Sequence, residues 1–159
     1  MKKFLLITIF ALLPVISHEQ ELSEAQGVSL DMAKQMLCMA KNLYYEAAKE
    51  PFEGKLAVAQ VTMNRANSTQ FPKTVCEVVY QKVNNTYQFS WVGEKVSNRI
   101  NEYAWQECMI VARMALTEYK LHDTIYKTKA MYYHNTSVNP AWKLKYVAKI
   151  GNHLFYTRT

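Results

Sequence analysis

The side chains best suited to acid–base chemistry in this chain lie in the stretch YYEAAKEP, Tyr44 to Pro51. Ahead of it Met32, Met36, Met39 and Leu43 recur at helical spacing, and the next position in that rhythm is Glu46. At ~100° per residue a carboxylate there projects where its apolar neighbours are buried. Burial disfavours the charged form and raises a carboxyl pKa. A glutamic acid still protonated near neutral pH is what general-acid catalysis needs. The competing reading is a side chain that snorkels to the surface at the end of the stripe. Glu50, one turn on, shares nearly the same face, and either couples to Glu46 as a like charge or simply ends the helix. Glu53 falls in the first turn of the next helix, where the helix dipole favours an acid.

Other chemistries find less support. His122, His134 and His153 contain no i, i+4 pair, and Cys38, Cys76 and Cys108 contain no CxxC, so neither a metal nor a cofactor is expected. There is no G-x-S-x-G context for a serine nucleophile and no glycine-rich phosphate loop. The three cysteines allow at most one intramolecular bridge, and small buried hydrophobes are an equally good reading. Tyr87, Phe89, Trp91, Tyr132, Tyr133 and Trp142 fall in the least helical parts, interleaved with Gln88, Ser90, His134 and Asn135. Flat apolar faces beside fixed hydrogen-bonding groups suit a sugar-binding groove. Nucleic-acid bases would stack there too.

The elements that must hold these residues are mostly helical. A chain of 159 residues, half of them hydrophobic, suffices for one domain with a core. Ser29 reads as an N-cap to a first helix over Leu30–Lys49. Pro51 reads as the first residue of a second helix reaching Ala66. Leu56 to Met63 is apolar nearly all round, which predicts a helix at the centre of the core. A loop over Asn67–Pro72, a short helix in TVCEVVYQ, an irregular or partly extended TYQFSWVGE and a third long helix over Asn101–Lys120 follow. The tail, with AMYYHNTSVNPAW and GNHLFYTRT, predicts a small antiparallel or extended element. The class is α+β, predominantly α-helical.

Residues 1–17, MKKFLLITIFALLPVIS, have the basic start, apolar run and small residues of a secretory signal peptide. A polar leading segment over 18–29 and a functional domain over 30–159 complete the expected organisation. The run from Phe4 to Ile16 is shorter than the ~20 residues of a membrane span. Export to the periplasm, cell wall or medium is therefore expected, with a retained N-terminal anchor the less favoured course. Cleavage would remove Lys2 and Lys3 and lower the formal charge of +6 by two. A basic excess suits polyanionic surroundings.

The strings CMAKNLYYEAAKEPFEGKLAVAQVTMNRANSTQFPKTVCEVVYQ, QFSW, AMYYHNTSVNPAW and IGNHLFY, in that order, resemble the cell-wall hydrolases of the SleB/CwlJ type, the group of the spore cortex-lytic enzymes. The likeness runs from about Cys38 to Tyr156. It implies a lysozyme-like or lytic-transglycosylase-like domain that cleaves peptidoglycan, with Glu46 at the position of the catalytic glutamate. This chain has Ala48-Lys49 where the family often has Arg-Gly, Tyr87 in place of a frequent cysteine, and Tyr132 in place of a common histidine.

In that reading Glu46 protonates the oxygen between N-acetylmuramic acid and N-acetylglucosamine as an oxocarbenium-like centre develops. Gln88, Ser90, Trp91, Tyr133 and His134 line the groove, with Tyr45 and Asn64 as weaker candidates. No second acid is well placed: Glu50 lies on the same helix face, and Glu94, Glu102 and Asp123 have no motif around them. Lytic transglycosylation, which needs one carboxyl, is favoured over a muramidase or glucosaminidase. The partner expected is a peptidoglycan strand, with no nucleic acid and no membrane span after cleavage, and any regulator is left open. A noncatalytic wall-binding module is the rival class; an exported nucleic-acid binder is another. A peptide-cutting amidase lacks its usual zinc ligands or Cys–His arrangement.

Overall fold

The computed structural model describes residues 18–97, 99–120 and 128–159. The expected leader over 1–17, together with His122 and Asp123, lies outside the described residues. The chain forms two compact units, one ending at Asp31 and the other spanning Met32–Thr159. The first holds the start of a long helix; the core and the site lie in the second.

Helix α1 runs from His18 to Ala47 rather than starting at Leu30. Ser29, expected as its N-cap, lies inside it, and serine in a helix interior costs only a few tenths of a kcal/mol to about 0.5 kcal/mol. The predicted stripe holds: Met39 and Leu43 are fully buried, with Met32 and Met36 packed against the same core. Helix α2 (Phe52–Asn67) has Pro51 as its N-cap, not its first helical residue, and the Pro51 carbonyl accepts from the Gly54 and Lys55 N–H groups. Almost every α2 residue from Gly54 to Ala66 is buried, as the nearly all-round apolar character of Leu56 to Met63 predicts, with Lys55, Gln60, Thr62 and Arg65 buried among them. Helix α4 (Glu102–Lys120) supplies Cys108, Val111, Ala112, Ala115 and Leu116 to that core.

Helix α3 (Val75–Val79) starts in a capping box made by Thr74 and Glu77. It is tied to α1 by a Cys38–Cys76 disulfide, so one of the two open cysteine readings is settled. Cys108 is the remaining thiol; it is buried, and desolvation pushes its pKa up to about 11, which leaves it unreactive. The start of TYQFSWVGE is extended, as strand β2 (Thr86–Tyr87), and pairs with a strand ahead of that segment, β1 (Lys82–Val83), to form a hairpin. Its two turn residues, Asn84 and Asn85, both have positive φ, the conformation of a two-residue type I′ turn. A 3₁₀ turn, Ser90–Gly93, follows.

The tail forms a three-stranded antiparallel sheet in the order β3 (Tyr132–Asn135), β5 (His153–Thr157), β4 (Lys145–Ile150). Phe155 on β5 is fully buried and joins the sheet to the helical core.

Candidate active site

Glu46 occupies the last turn of α1 and is half-buried, so its side chain neither escapes to the surface nor lies wholly inside. Strand β3 brings Tyr133 to it, and the phenol O–H donates to Glu46 Oε2 over 3.1 Å. Burial raises the Glu46 carboxyl above its ordinary value of 4.5. The Tyr133 hydrogen bond, the positive charge of Arg65 and, in the opposite sense, the negative charge of Glu94 act on it less strongly. Burial holds the Tyr133 pKa well above its usual range, with the Glu46 charge adding to the effect, so the phenol keeps its proton and stays a donor.

The carboxyl opens on a cavity of about 370 Å³ lined by Tyr44 to Glu50, at and just past the end of α1, by Asn135 on β3 and by Asn152 in the β4–β5 turn. That volume lies at the lower end of the range for small-ligand sites. Tyr45 stacks on Trp91 with ring centroids 4.7 Å apart. Trp91 is fixed in turn by its indole N–H, which donates to buried Asn42 over 3.0 Å, and Asn42 bonds Thr62 on α2. Phe89, 3 % exposed, sinks between α2 and α3 and anchors the QFSW loop; Gln88 and Ser90 on either side face out.

The like charge that acts most on Glu46 is Glu94, not Glu50. Glu50 turns instead into the β4–β5 turn, where its Oε2 accepts the Asn152 N–H over 2.8 Å and its Oε1 lies 3.9 Å from His153 Nδ1. The backbone carbonyl of Glu50 accepts from Lys55 Nζ, which also pairs with Glu107 on α4. A Cβ on Gly151 would collide with the Glu50 carboxylate, and Gly151 has φ +57°, so glycine is required there twice over. A Cβ on Gly54 would sit 2.9 Å from Glu50 Cβ. The strings EP..G and IGNH are thus two halves of one joint.

Of the residues expected in a groove, Tyr45, Trp91 and Tyr133 gather around Glu46. His134 does not join Tyr133, because adjacent strand residues point to opposite faces. Its Nε2 bonds the Tyr156 hydroxyl over 3.0 Å and its ring stacks on Tyr156. Asn64 is fully engaged: its amide donates to the Thr128 and Ala130 carbonyls and its oxygen accepts from Gln60. Gln88 lines a different cavity, with Tyr132 and Trp142.

Asn135, one of the polar groups interleaved with the groove aromatics, does line the Glu46 cavity, whereas sequence reasoning missed Asn42, Asn152 and Arg65. Arg65 is buried on α2 under the rings of Phe71, Phe89 and Tyr132, and its Nε donates to the Met131 carbonyl over 2.7 Å, just before β3. A charged residue just beyond the apolar run Leu56–Met63, in a helix buried on nearly every side, was the available signal. Among the described residues no cluster of three His, Cys, Asp or Glu could hold a metal ion.

The fold and site thus define a small α+β protein with a half-buried carboxyl at a helix end, facing a polar cavity flanked by stacked aromatics. The chain belongs to the cell wall hydrolase family, whose model matches residues 49–156. That match begins three residues after Glu46 and so does not itself cover it. The chain is 32 % identical over 120 residues to a spore cortex-lytic enzyme of Oceanobacillus iheyensis, a stretch of 74 % of this chain and 39 % of the relative. It is 31 % identical over 121 residues to the spore cortex-lytic enzyme of Bacillus subtilis, 74 % of this chain and 35 % of the relative. The chain thus matches little more than a third of these relatives' length. Among solved structures it is similar to the catalytic domain of the germination-specific lytic transglycosylase SleB from Bacillus anthracis, at 25 % identity and a TM-score of 0.58, covering 77 % of this chain and 93 % of that one. The catalytic domain of the Bacillus cereus SleB protein matches at 26 % identity and a TM-score of 0.54, with 77 % and 89 % covered. The expected lysozyme-like α+β class therefore holds.

Proposed function

We propose that this protein is an exported peptidoglycan-degrading enzyme that cleaves the bond between N-acetylmuramic acid and N-acetylglucosamine as a lytic transglycosylase, with Glu46 as both acid and base. The observation that carries this reading is the Glu46 carboxyl, half-buried and above its ordinary pKa, facing the cavity with Tyr133 as its hydrogen-bond donor. Protonated Glu46 gives its proton to the glycosidic oxygen as the C–O bond breaks and positive charge develops on the muramyl ring. The carboxylate left behind is held by the Tyr133 O–H and favoured by the Arg65 charge. It then takes the proton of the muramyl 6-hydroxyl as that oxygen closes on the anomeric carbon, giving an anhydro product and restoring the acid. Tyr45, Trp91, Asn135 and Asn152 would hold the sugars beside it, and residues 1–17 would direct export.

Glu94 favours a second reading. It is the other acid whose charge reaches Glu46, and a hydrolytic muramidase needs a second carboxylate to direct water. Mass spectrometry of digested sacculi decides between them. Anhydro-muramyl ends, formed at nearly the parental rate by Glu94→Gln, are the expected result. Reducing muramic acid ends, lost in Glu94→Gln, would replace transglycosylation by hydrolysis. Binding without any released fragment would leave a wall-binding module.

A further inference from the structure

The face of the C-terminal sheet turned away from Glu46 carries a second concave site, lined by Gln88, Tyr132, Trp142, Lys143, Leu144 and Arg158, with a volume of about 460 Å³. Its centre is Trp142. Trp142 is 44 % exposed as a residue, yet its ring meets those of Tyr132, His134 and Tyr156 at centroid distances of 6.2, 5.4 and 5.9 Å. Its backbone N–H donates to the Pro140 carbonyl over 2.8 Å, which fixes the loop beneath it. A large apolar ring held in place while open to solvent is preorganised, so a partner that stacks on it loses little additional freedom of the protein.

Tyr132 is itself braced from both sides: the buried Arg65 guanidinium lies 5.8 Å from its ring centroid, and Arg158 Nε donates to its hydroxyl over 3.0 Å. The second contact holds the Arg158 guanidinium at the wall of the groove. From Thr128 to Thr159 the sequence contains Lys129, Lys143, Lys145, Lys149 and Arg158 and no Asp or Glu at all. Of these cations Lys143 and Arg158 line the groove itself, with no acid among its lining residues, so an anionic ligand is complementary to it, and an exposed aromatic platform beside an amide adds a preference for a ring with hydroxyl or acetamido groups. The volume admits about one sugar ring with a substituent. Nucleic acid, which uses successive stacking platforms along a strand, fits a single Trp less well.

We propose that this groove is a second saccharide subsite, distinct from the Glu46 cavity, that binds a hexosamine ring whose substituent bears a carboxylate, as in a peptide-bearing muramyl unit of the wall. The sugar stacks on Trp142, Gln88 meets its polar substituents, and Lys143 and Arg158 meet the carboxylate. The identity of the ligand, though not the existence of the site, rests on the reading of this protein as a peptidoglycan enzyme.

The test is a titration of the full chain carrying Glu46→Gln, which prevents turnover, followed by the indole N–H resonances of Trp142 and Trp91. The probes are a disaccharide with its stem peptide, a neutral N-acetylglucosamine oligomer of the same length, and a short single-stranded oligonucleotide. The muropeptide is expected to shift the Trp142 signal and to bind at least several-fold more tightly there than the neutral oligomer. Trp142→Ala should weaken this binding about tenfold and Arg158→Gln several-fold, while Trp142→Phe, which keeps a flat ring, retains most of it. On sacculi, Trp142→Ala in the otherwise parental enzyme should lower kcat/KM about tenfold, chiefly through KM. A muropeptide that shifts Trp91 and leaves Trp142 unmoved would overturn the proposal while the Glu46 reading stands. Equal binding of the neutral oligomer, or tighter binding of the oligonucleotide, would also overturn it. Full activity of the Glu46→Gln enzyme on sacculi would instead remove the catalytic reading, and the Trp142 shift, recorded with mass spectrometry showing the muropeptide intact, would still decide the subsite.

Discussion

Glu46 and Glu50 stand four residues apart at the same corner, and their surroundings differ in kind. Glu46 looks into an open cavity with one tyrosine donor and a raised pKa. Glu50 is only 7 % exposed and is built into a joint, accepting a backbone N–H from the β4–β5 turn beside His153 and packed against two glycines. A carboxyl that is partly desolvated and singly bonded can exchange a proton with a ligand. One whose oxygen closes a turn holds the sheet against the helix corner, and through that sheet holds Tyr133 against Glu46.

The largest effect that separates the two is on rate. Glu46→Gln should lower peptidoglycan solubilisation by about a thousandfold, within the range for loss of a positioned acid, while circular dichroism and the melting transition stay those of a folded protein. Parental activity in this variant would end the distinction. Gly151→Ala acts on the opposite side of the comparison. It forces a side chain into a positive-φ position already filled by Glu50, and should cost on the order of 3 kcal/mol in urea unfolding. A neutral result would mean that the joint is loose.

Glu50→Ala leaves the Asn152 N–H without its acceptor and should cost about 2 kcal/mol, with a far smaller loss of rate per folded molecule than Glu46→Gln. If the two variants lost activity equally, Glu50 would belong to the chemistry. Tyr133→Phe removes the donor to Glu46, favouring the protonated form. We expect about a fivefold slower reaction, corresponding to roughly 1 kcal/mol, and a pH–rate profile displaced to higher pH. A purely packing role for the hydroxyl would change the rate without moving the profile.

The smallest effect concerns stability. Because the Glu46 pKa is raised on folding, the native state binds that proton more tightly than the unfolded chain does. Stability is therefore lost as pH rises above the ordinary 4.5, and the loss is complete once pH exceeds the folded pKa. Glu46→Gln abolishes this dependence. Urea titrations should show the variant gaining on the parent between acidic and neutral pH, and a constant difference would show that Glu46 titrates as an ordinary carboxyl.

Much of this arrangement was legible along the chain. The stripe from Met32 to Leu43 identified the buried face of α1 and so the odd position of Glu46, and the apolar α2 identified the centre of the core. The motif strings brought the QFSW loop and the tail into one family pattern. The hairpin over Lys82–Tyr87 was missed although the Asn84-Asn85 pair is a turn signal, because strands of two residues carry no periodicity. The start of α1 was misplaced because Ser29 is a good cap and a tolerable interior residue at once.

What the sequence alone determined is therefore local: which faces are apolar, where a carboxyl interrupts one of them, and where aromatic and basic residues accumulate. Which partner each side chain meets was decided by the fold. The Cys38–Cys76 bridge, the Tyr133 contact to Glu46, the binding of Glu50 by a turn 102 residues away and the separation of Tyr133 from His134 all depend on how distant segments meet. Periodicity describes an element about its own axis and holds no term for its distance from another. That distance comes from packing the whole core, in which no single stretch of sequence has a vote of its own.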